Sequence, residues 1–391
     1  MHPSLASLLI LLGPVAMAQP AFEREAPLGP MGVGYTDTLL HAAGVEYSGF
    51  GYTGPAPLFV QHWFPMDAKN RSAPLSYGAL RERQLPDGLA SVYAALHAEM
   101  ERSFIATDLS GSYPDHEPID YGKSSLAEVL EQVMHTATRS QRAAPARRSD
   151  APVIIYPHGS QGSSDENVAM AEYFASRGYD LVSANFHWPH ADAPYGMEGF
   201  TNDPGALRAV LRYAHSLTTS DSVFFIGHSW GAQMGWYTLH SPGPVRAFVS
   251  METTLETKTD TNEIKDKWAW LYDALATRGE VLPIPVLLLA NTQRDAPFAF
   301  LAGRSTSGLH AASIQPFDHE SYTSAYFLRY YHRDRFPQPD TAAMAQQLAR
   351  YGEHLSLIDA FFHAVRSGGE FPREHFREAF FLNRTTGERK P

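Results

Sequence analysis

The chain has 391 residues, with 42 acidic side chains against 31 lysines and arginines, and it contains no cysteine. A net charge of -11 gives nucleic acid no general reason to bind, because phosphate contacts need clustered Lys and Arg. The lack of cysteine excludes disulfides, thiolate metal sites and cysteine nucleophiles. Hydrophobic residues make up 44% of the chain, which predicts a large folded core.

The first eighteen residues read as a signal peptide. An uncharged apolar run over residues 5–15 precedes Ala16, Met17 and Ala18, which have the A-x-A form that signal peptidase cuts. The run is too short to span a bilayer. We therefore predict an exported protein, periplasmic or extracellular, that is cut near Ala18 and has no membrane anchor, with residues 19–391 as a single domain.

Between the signal peptide and residue 150 the pattern predicts two strands and two helices. Residues 34–66 are predicted as edge strands. Leu89, Tyr93, Leu96 and Met100 recur at helical spacing, and a capping box at Ser125 begins a second helix. We interpret residues 88–150 as a helical insertion and linker, in which residues 139–150 form a polar surface loop.

From residue 153 onward, short apolar runs alternate with helical segments. Strands that are buried on both faces read as continuous apolar runs, so this alternation predicts a mostly parallel central sheet flanked by helices. Residues 335–391 are predicted as a C-terminal helical extension. Active sites in such sheets lie beyond the carboxyl ends of the strands. The predicted strands are residues 153–156, 180–185, 222–226, 245–251, 285–290 and 309–316, and the predicted helices are residues 166–177, 204–217 and 230–239.

The pentapeptide from Gly227 to Gly231 reads Gly-His-Ser-Trp-Gly and lies between a predicted strand and a predicted helix. In a nucleophile elbow, a serine occupies such a turn and the flanking glycines let strand and helix approach closely. Ser229 is therefore the predicted nucleophile, the alternative being an incidental turn serine.

The segment His158-Gly159-Ser160-Gln161-Gly162 follows the first strand of the alternating region. Backbone N–H groups in such a loop stabilise the negative oxygen of a tetrahedral intermediate, and we assign this role to Ser160 and Trp230. Trp188 and His158 are assigned to the substrate pocket. The alternatives are plain packing for Trp188 and, for His158, hydrogen bonds that order the loop, which are favoured. The loose spacing of nearby histidines favours a pocket-lining loop, and no metal site is predicted.

A serine nucleophile needs a base, and the chain has 18 histidines. His319 follows the last predicted strand and precedes a helical pattern, so it is the predicted base. The acid that orients its imidazole must also follow a strand at this edge. Two residues fit: Glu252 directly after strand 245–251, and Asp295 five residues beyond strand 285–290.

Residues 153–322 resemble the α/β-hydrolases, in particular the platelet-activating-factor acetylhydrolase and dienelactone-hydrolase-like branch. The motifs that carry the resemblance are HGSQG, GHSWGA and DHESY, with an upstream Trp63-Phe64-Pro65. The resemblance implies an α/β-hydrolase fold and cleavage of a small-molecule or lipid-like carboxylic ester through an acyl-enzyme, without a cofactor. It favours Glu252 as the acid, in place of the usual Asp. A serine peptidase or amidase of the same fold, or a non-catalytic binding protein, are the alternatives.

Overall fold

A ten-stranded sheet runs through the part of the chain that the structure, a computed structural model, describes. Its order is β10-β9-β8-β7-β6-β4-β5-β2-β1-β3. The described residues are 22–69, 73–83, 85–86, 88–110, 119–145, 149–193, 195–196, 204–258, 260–290, 300–332, 334–336, 341–372 and 379–381. The strands are β1 Gly32–Gly49, β2 Tyr52–Met66, β3 Ser140–Arg142, β4 Val153–Tyr156, β5 Asp180–Ser183, β6 Val223–His228, β7 Val245–Met251, β8 Val286–Ala290, β9 Leu309–Ile314 and β10 Ala379–Phe381.

The six strands from β4 to β9 are parallel, which confirms the predicted mostly parallel sheet. β2 pairs antiparallel with β1 and β5, and β10 pairs antiparallel with β9. The prediction of edge strands over residues 34–66 is wrong, because β2 lies between β1 and β5, and β1 lies between β2 and β3. The helices are α1 Ala90–Phe104, α2 Leu126–Met134, α3 Val168–Ser176, α4 Gly205–Leu217, α5 Trp230–Thr238, α6 Thr261–Lys267, α7 Ala269–Tyr272 and α8 Thr341–Ser367.

Both faces of the sheet are buried, each beneath its own hydrophobic core. Successive residues of one strand point alternately into the two cores. Ile154 and Tyr156 pack into the core that α3 and α8 cover, whereas Val153 and Ile155 pack into the core beneath α4 and α5. This is why β4 reads as an unbroken apolar run. The C-terminal extension supplies α8, the main cover of the first core, and β10, which extends the sheet beyond β9.

The prediction that residues 139–150 form a surface loop is wrong at its start. Ser140 is fully buried in β3, which pairs in parallel with β1. The backbone N–H groups of Arg139 and Ser140 donate to the buried carboxylate of Glu172 at 2.7 and 2.8 Å. A partner 32 residues away therefore draws a polar segment into the fold. Among the described helices, none combines the length and the apolar composition needed to cross a membrane.

A buried histidine–carboxylate pair joins β2 to the start of β5. His62 Nε2 lies 2.9 Å from Asp180 Oδ1, and both side chains are almost fully buried. Asp180 begins β5, at the end of the parallel strands opposite to the one that carries the predicted catalytic residues. The pair therefore holds β2 against β5 at the end of the sheet that is remote from the predicted catalytic residues.

Candidate active site

Ser229 lies between the end of β6 and the start of α5, in a backbone conformation that few residues adopt. Its φ is 51° and its ψ is -115°. The Ser229 N–H donates to Met251 O at 2.9 Å, which ties the turn to β7. A Cβ on Gly227 would lie 2.5 Å from Gly231 O, and one on Gly231 would lie 2.1 Å from Pro157 O. The structure thus forms the predicted strand-turn-helix, and sterics require both glycines.

His319 begins a short 3-10 helix after β9, and Glu252 directly follows β7. His319 Nδ1 lies 3.5 Å from Glu252 Oε2, with the imidazole side chain 31% exposed and the Glu252 side chain 7% exposed. The Glu252 N–H donates to Leu289 O at 2.9 Å, which anchors the acid beside β8. The structure therefore brings these two predicted residues together. The alternative acid, Asp295, lies outside the described residues.

The charges around the imidazole favour its protonated form. Burial lowers the pKa of His319, but the hydrogen bond to Glu252 and the carboxylates of Glu320, Glu252 and Glu256 outweigh this effect and raise the pKa to about 9. An acid partner that holds the imidazolium is what a general base needs after it has taken a proton.

The loop after β4 lies directly against the nucleophile. A Cβ on Gly159 would lie 3.3 Å from Ser229 Cβ. The Gly159 N–H is already donated to Glu166 Oε1 at 3.2 Å. Within the described ranges, no protein group accepts the N–H of Ser160 or of Trp230. These are the two amides predicted to hold an oxyanion.

A cavity of about 450 Å³ adjoins these groups. Ser229, His319 and Ser160 line it together. The opposite wall comes from the insertion, where Met100 and Phe104 of α1 are followed by Thr107 and Asp108 in a single π-helical turn. None of these four residues is among those that the sequence predicts for the site. The helical spacing of apolar residues that ends at Met100 predicts a helix with an apolar face. It does not show that this face meets the cavity.

The structure does not place His158 or Trp188 in this cavity, so their assignment to its wall is not supported. His158 is fully buried: its Nδ1 hydrogen bonds to Gly159 O at 2.7 Å, and its Nε2 accepts the Phe186 N–H at 3.1 Å. Trp188 donates its Nε1–H to Pro57 O at 2.8 Å. Both side chains order loops behind the site, the alternative that was favoured for His158.

The neighbouring histidine, His187, packs against Trp230, with 4.6 Å between the two ring centroids. In the parts of the chain that the structure describes, no three histidine or acidic side chains are grouped as ligands for a metal ion.

A family model described as the alpha/beta hydrolase fold matches residues 152–278. Among solved structures, the chain is similar to a ferulic acid esterase from Streptomyces cinnamoneus, with 16% identity, a TM-score of 0.53 and coverage of 94% of this chain and 98% of that one. The chain has the α/β-hydrolase fold.

Two further structures with this α/β-hydrolase likeness have lower TM-scores. Est1E from Butyrivibrio proteoclasticus with bound ferulic acid has 18% identity and a TM-score of 0.35, covering 54% of this chain and 90% of that one. A dienelactone hydrolase-like promiscuous phosphotriesterase from metagenomic libraries has 11% identity and a TM-score of 0.37, covering 83% and 98%. No curated protein matches the sequence. At these identities the structures establish the fold alone, so the narrower branch stays a prediction.

A second buried carboxyl lies near the predicted acid, Glu252. Glu256 is fully buried and accepts a hydrogen bond from Thr253 Oγ1. Burial and the nearby charge of Glu252 raise the pKa of Glu256 to about 8. Glu256 is therefore mainly protonated at neutral pH, which avoids a second negative charge beside Glu252.

We expect Glu256→Gln to stabilise the protein more at pH 8 than at pH 5. The pKa of Glu256 is about 8 in the folded protein against an ordinary value of 4.5, so the folded state holds a proton that the unfolded chain releases between these values. Wild-type stability therefore falls as pH rises through this window, and the amide removes that loss. Urea unfolding at both pH values measures the difference, with exposed Glu46→Gln as control. An equal effect of Glu256→Gln at both values would contradict the assignment.

Proposed function

We propose that this chain is an exported serine hydrolase that cleaves carboxylic esters through an acyl-enzyme intermediate. The observation that carries the proposal is the convergence on one cavity wall of the strained Ser229, the His319 imidazole paired with Glu252, and the Ser160 loop. Export rests on residues 1–18 alone, which lie outside the described residues.

In the proposed reaction, His319 takes the Ser229 proton as the hydroxyl attacks the ester carbonyl. Glu252 stabilises the imidazolium, and the N–H groups of Ser160 and Trp230 bind the oxyanion. His319 then protonates the leaving alcohol, and the same imidazole activates the water that releases the acid. The Ser229 proton leaves with the alcohol, and a proton of the hydrolytic water passes through His319 to restore the Ser229 hydroxyl. The protons therefore balance with water alone, so the proposed steps need no cofactor.

Activity is expected to rise with pH. His319 must be neutral to act as a base, and its pKa is about 9, so kcat/KM should increase about tenfold per pH unit below that value and then level off. Glu252→Gln removes the partner that raises the pKa of His319, so the inflection should move to lower pH while the plateau falls. A pH–rate profile measures both effects. Asp180→Asn, which alters the other buried acid–histidine pair, should leave the inflection in place.

Loss of the nucleophile should abolish hydrolysis. We expect Ser229→Ala to reduce kcat on 4-nitrophenyl esters by at least about 10³-fold and to prevent labelling by a fluorophosphonate probe. Glu252→Ala should lose activity, and Asp295→Ala should retain it. The reverse result would make Asp295 the acid.

The substrate panel should pair 4-nitrophenyl esters with aminoacyl anilides, and it should include aromatic acyl esters because of the fold shared with a ferulic acid esterase. Faster cleavage of the anilides would indicate a peptidase or amidase. Wild-type protein that is folded but unlabelled by the probe would indicate a binding protein.

The wall formed by the insertion should control acyl length. Met100 is buried and lines the cavity, so Met100→Ala should lengthen the preferred acyl chain. Each newly buried methylene is worth about 0.8 kcal/mol, or about fourfold in kcat/KM. The ratio of kcat/KM for octanoyl and butanoyl esters measures this. Leu96→Ala, on the same helix but outside the cavity wall, is the matched control, and an unchanged ratio in Met100→Ala would refute the role of this wall.

A further inference from the structure

The carboxylate of Glu166 lies inside the loop that carries the proposed oxyanion donor. Its Oε1 accepts the Tyr156 hydroxyl at 2.7 Å and the Gly159 N–H at 3.2 Å. A Cβ on Gly162 would lie 2.1 Å from Glu166 Oε2, so the loop closes around the carboxylate without room for a side chain. Glu166 thus fixes the backbone at Gly159, directly before Ser160.

His228 connects this carboxylate to the catalytic histidine. Its Nδ1 lies 3.4 Å from Glu166 Oε1, and its Nε2 lies 3.0 Å from the His319 backbone oxygen. A carbonyl oxygen only accepts, so Nε2 carries a proton and donates it. His228 is also the residue directly before Ser229, at the end of β6. One imidazole therefore contacts the oxyanion loop on one side and the histidine segment on the other.

The main chain of Glu166 makes a second connection to the same segment. Its carbonyl oxygen accepts the Ala325 N–H at 2.9 Å and the Ser324 hydroxyl at 3.3 Å. Ala325 follows the 3-10 helix that begins at His319. Glu166 thus contacts the far end of the segment directly and approaches its His319 end through His228.

Glu166 is ionised in this setting. Burial raises the pKa of its carboxyl, but the neighbouring His228 and His158 and the hydrogen bond from the Tyr156 hydroxyl hold it below its ordinary value. Hydrogen bonds to an ionised acceptor are shorter and stronger than neutral ones. The charge therefore rigidifies the contacts with Gly159, Tyr156 and His228.

We propose that Glu166 and His228 form a second acid–histidine pair whose function is to position the Ser160 amide and the His319 imidazole around Ser229. The inference rests on the proposed function, and it assigns both residues as positioning residues that act through their neighbours. Displacement of a catalytic group by about 1 Å can cost 10²-fold in rate, so such a link has a measurable effect on turnover.

Two amide replacements of His228 separate its two contacts. The Gln side chain places its amide nitrogen near the position of Nε2, so His228→Gln keeps the donor to His319 O and loses the contact with Glu166. The Asn amide nitrogen lies near the position of Nδ1, so His228→Asn does the opposite. If the pair acts as a link, each variant should lower kcat about tenfold or more with KM little changed.

Two substitutions of Glu166 test the carboxylate of the pair. Glu166→Gln keeps an oxygen acceptor for Gly159 and Tyr156 and should retain most of the wild-type kcat. Glu166→Leu removes the acceptor and should lower kcat by roughly 10²-fold. Combined with His228→Gln, Glu166→Leu should lower kcat little further, because residues that act as one unit are not additive. Additive losses would overturn the proposal, and the His228 amide variants decide it if Glu166→Leu does not fold.

His62→Asn is the matched control, because it removes the Nε2 contact of the buried His62–Asp180 pair. It should lower the melting temperature and leave kcat unchanged, which separates loss of packing from loss of positioning. The proposal is refuted if His228→Gln and His228→Asn keep wild-type kcat, or if their losses match that of His62→Asn. These outcomes leave the proposed function intact. That function fails on separate results: wild-type protein that lacks esterase activity or probe labelling, faster cleavage of anilides than of esters, or a Ser229→Ala variant that retains activity.

Discussion

The close approach of α5 to the loop after β4 is the constraint on which the site depends. Backbone at Gly231 and Pro157 is too near to admit even a methyl group, so the turn at Ser229 and the Ser160 amide are held at a fixed separation. The positive φ of Ser229 costs about 1–3 kcal/mol, and it persists because the surrounding structure determines it. The hydrogen bond from Ser229 N–H to Met251 O joins this turn to β7, whose next residue is Glu252. Ser229 and Glu252, the proposed nucleophile and acid, are thus positioned by one pair of neighbouring strands.

Three buried carboxyl groups lie near this frame, and their surroundings do not treat them alike. Glu252 faces the His319 imidazole and helps to raise the pKa of that imidazole. Burial and the charge of Glu252 raise the pKa of Glu256 to about 8, so Glu256 adds no second negative charge at neutral pH. Burial also raises the pKa of Glu166, but His228 and the hydrogen bond from the Tyr156 hydroxyl hold it below its ordinary value. Residue type alone does not distinguish these three glutamates, whereas the donors and charges that face them do.

The parts of the fold that the sequence predicts are those set by local pattern. β4 to β9 are buried on both faces and therefore read as apolar runs, and the glycines around Ser229 follow from the steric demands of one turn. β3 was missed because its burial depends on Glu172, a partner that only the folded chain brings near. The wall at Met100 and Phe104 was missed for a related reason, since helical spacing shows that a helix has an apolar face but not what that face meets. His158 was ambiguous because a histidine that orders a loop and one that lines a pocket look alike in sequence.

Local sequence patterns locate the residues at the strand ends, whereas the cavity wall depends on contacts between distant segments. The proposed chemistry lies at strand ends, where the turn after each strand has little freedom, and residues such as Ser229, Glu252 and His319 can be located by counting strands. The cavity wall that α1 and the turn at Thr107 and Asp108 supply is instead held by contacts between segments far apart in sequence. Arg329, buried after the histidine segment, donates to the backbone oxygens of Asp108 and Tyr326 and so docks the insertion near the segment that carries His319. The wall predicted to select the substrate and the segment of the proposed base are therefore joined by direct contacts, which no local pattern in the sequence reveals.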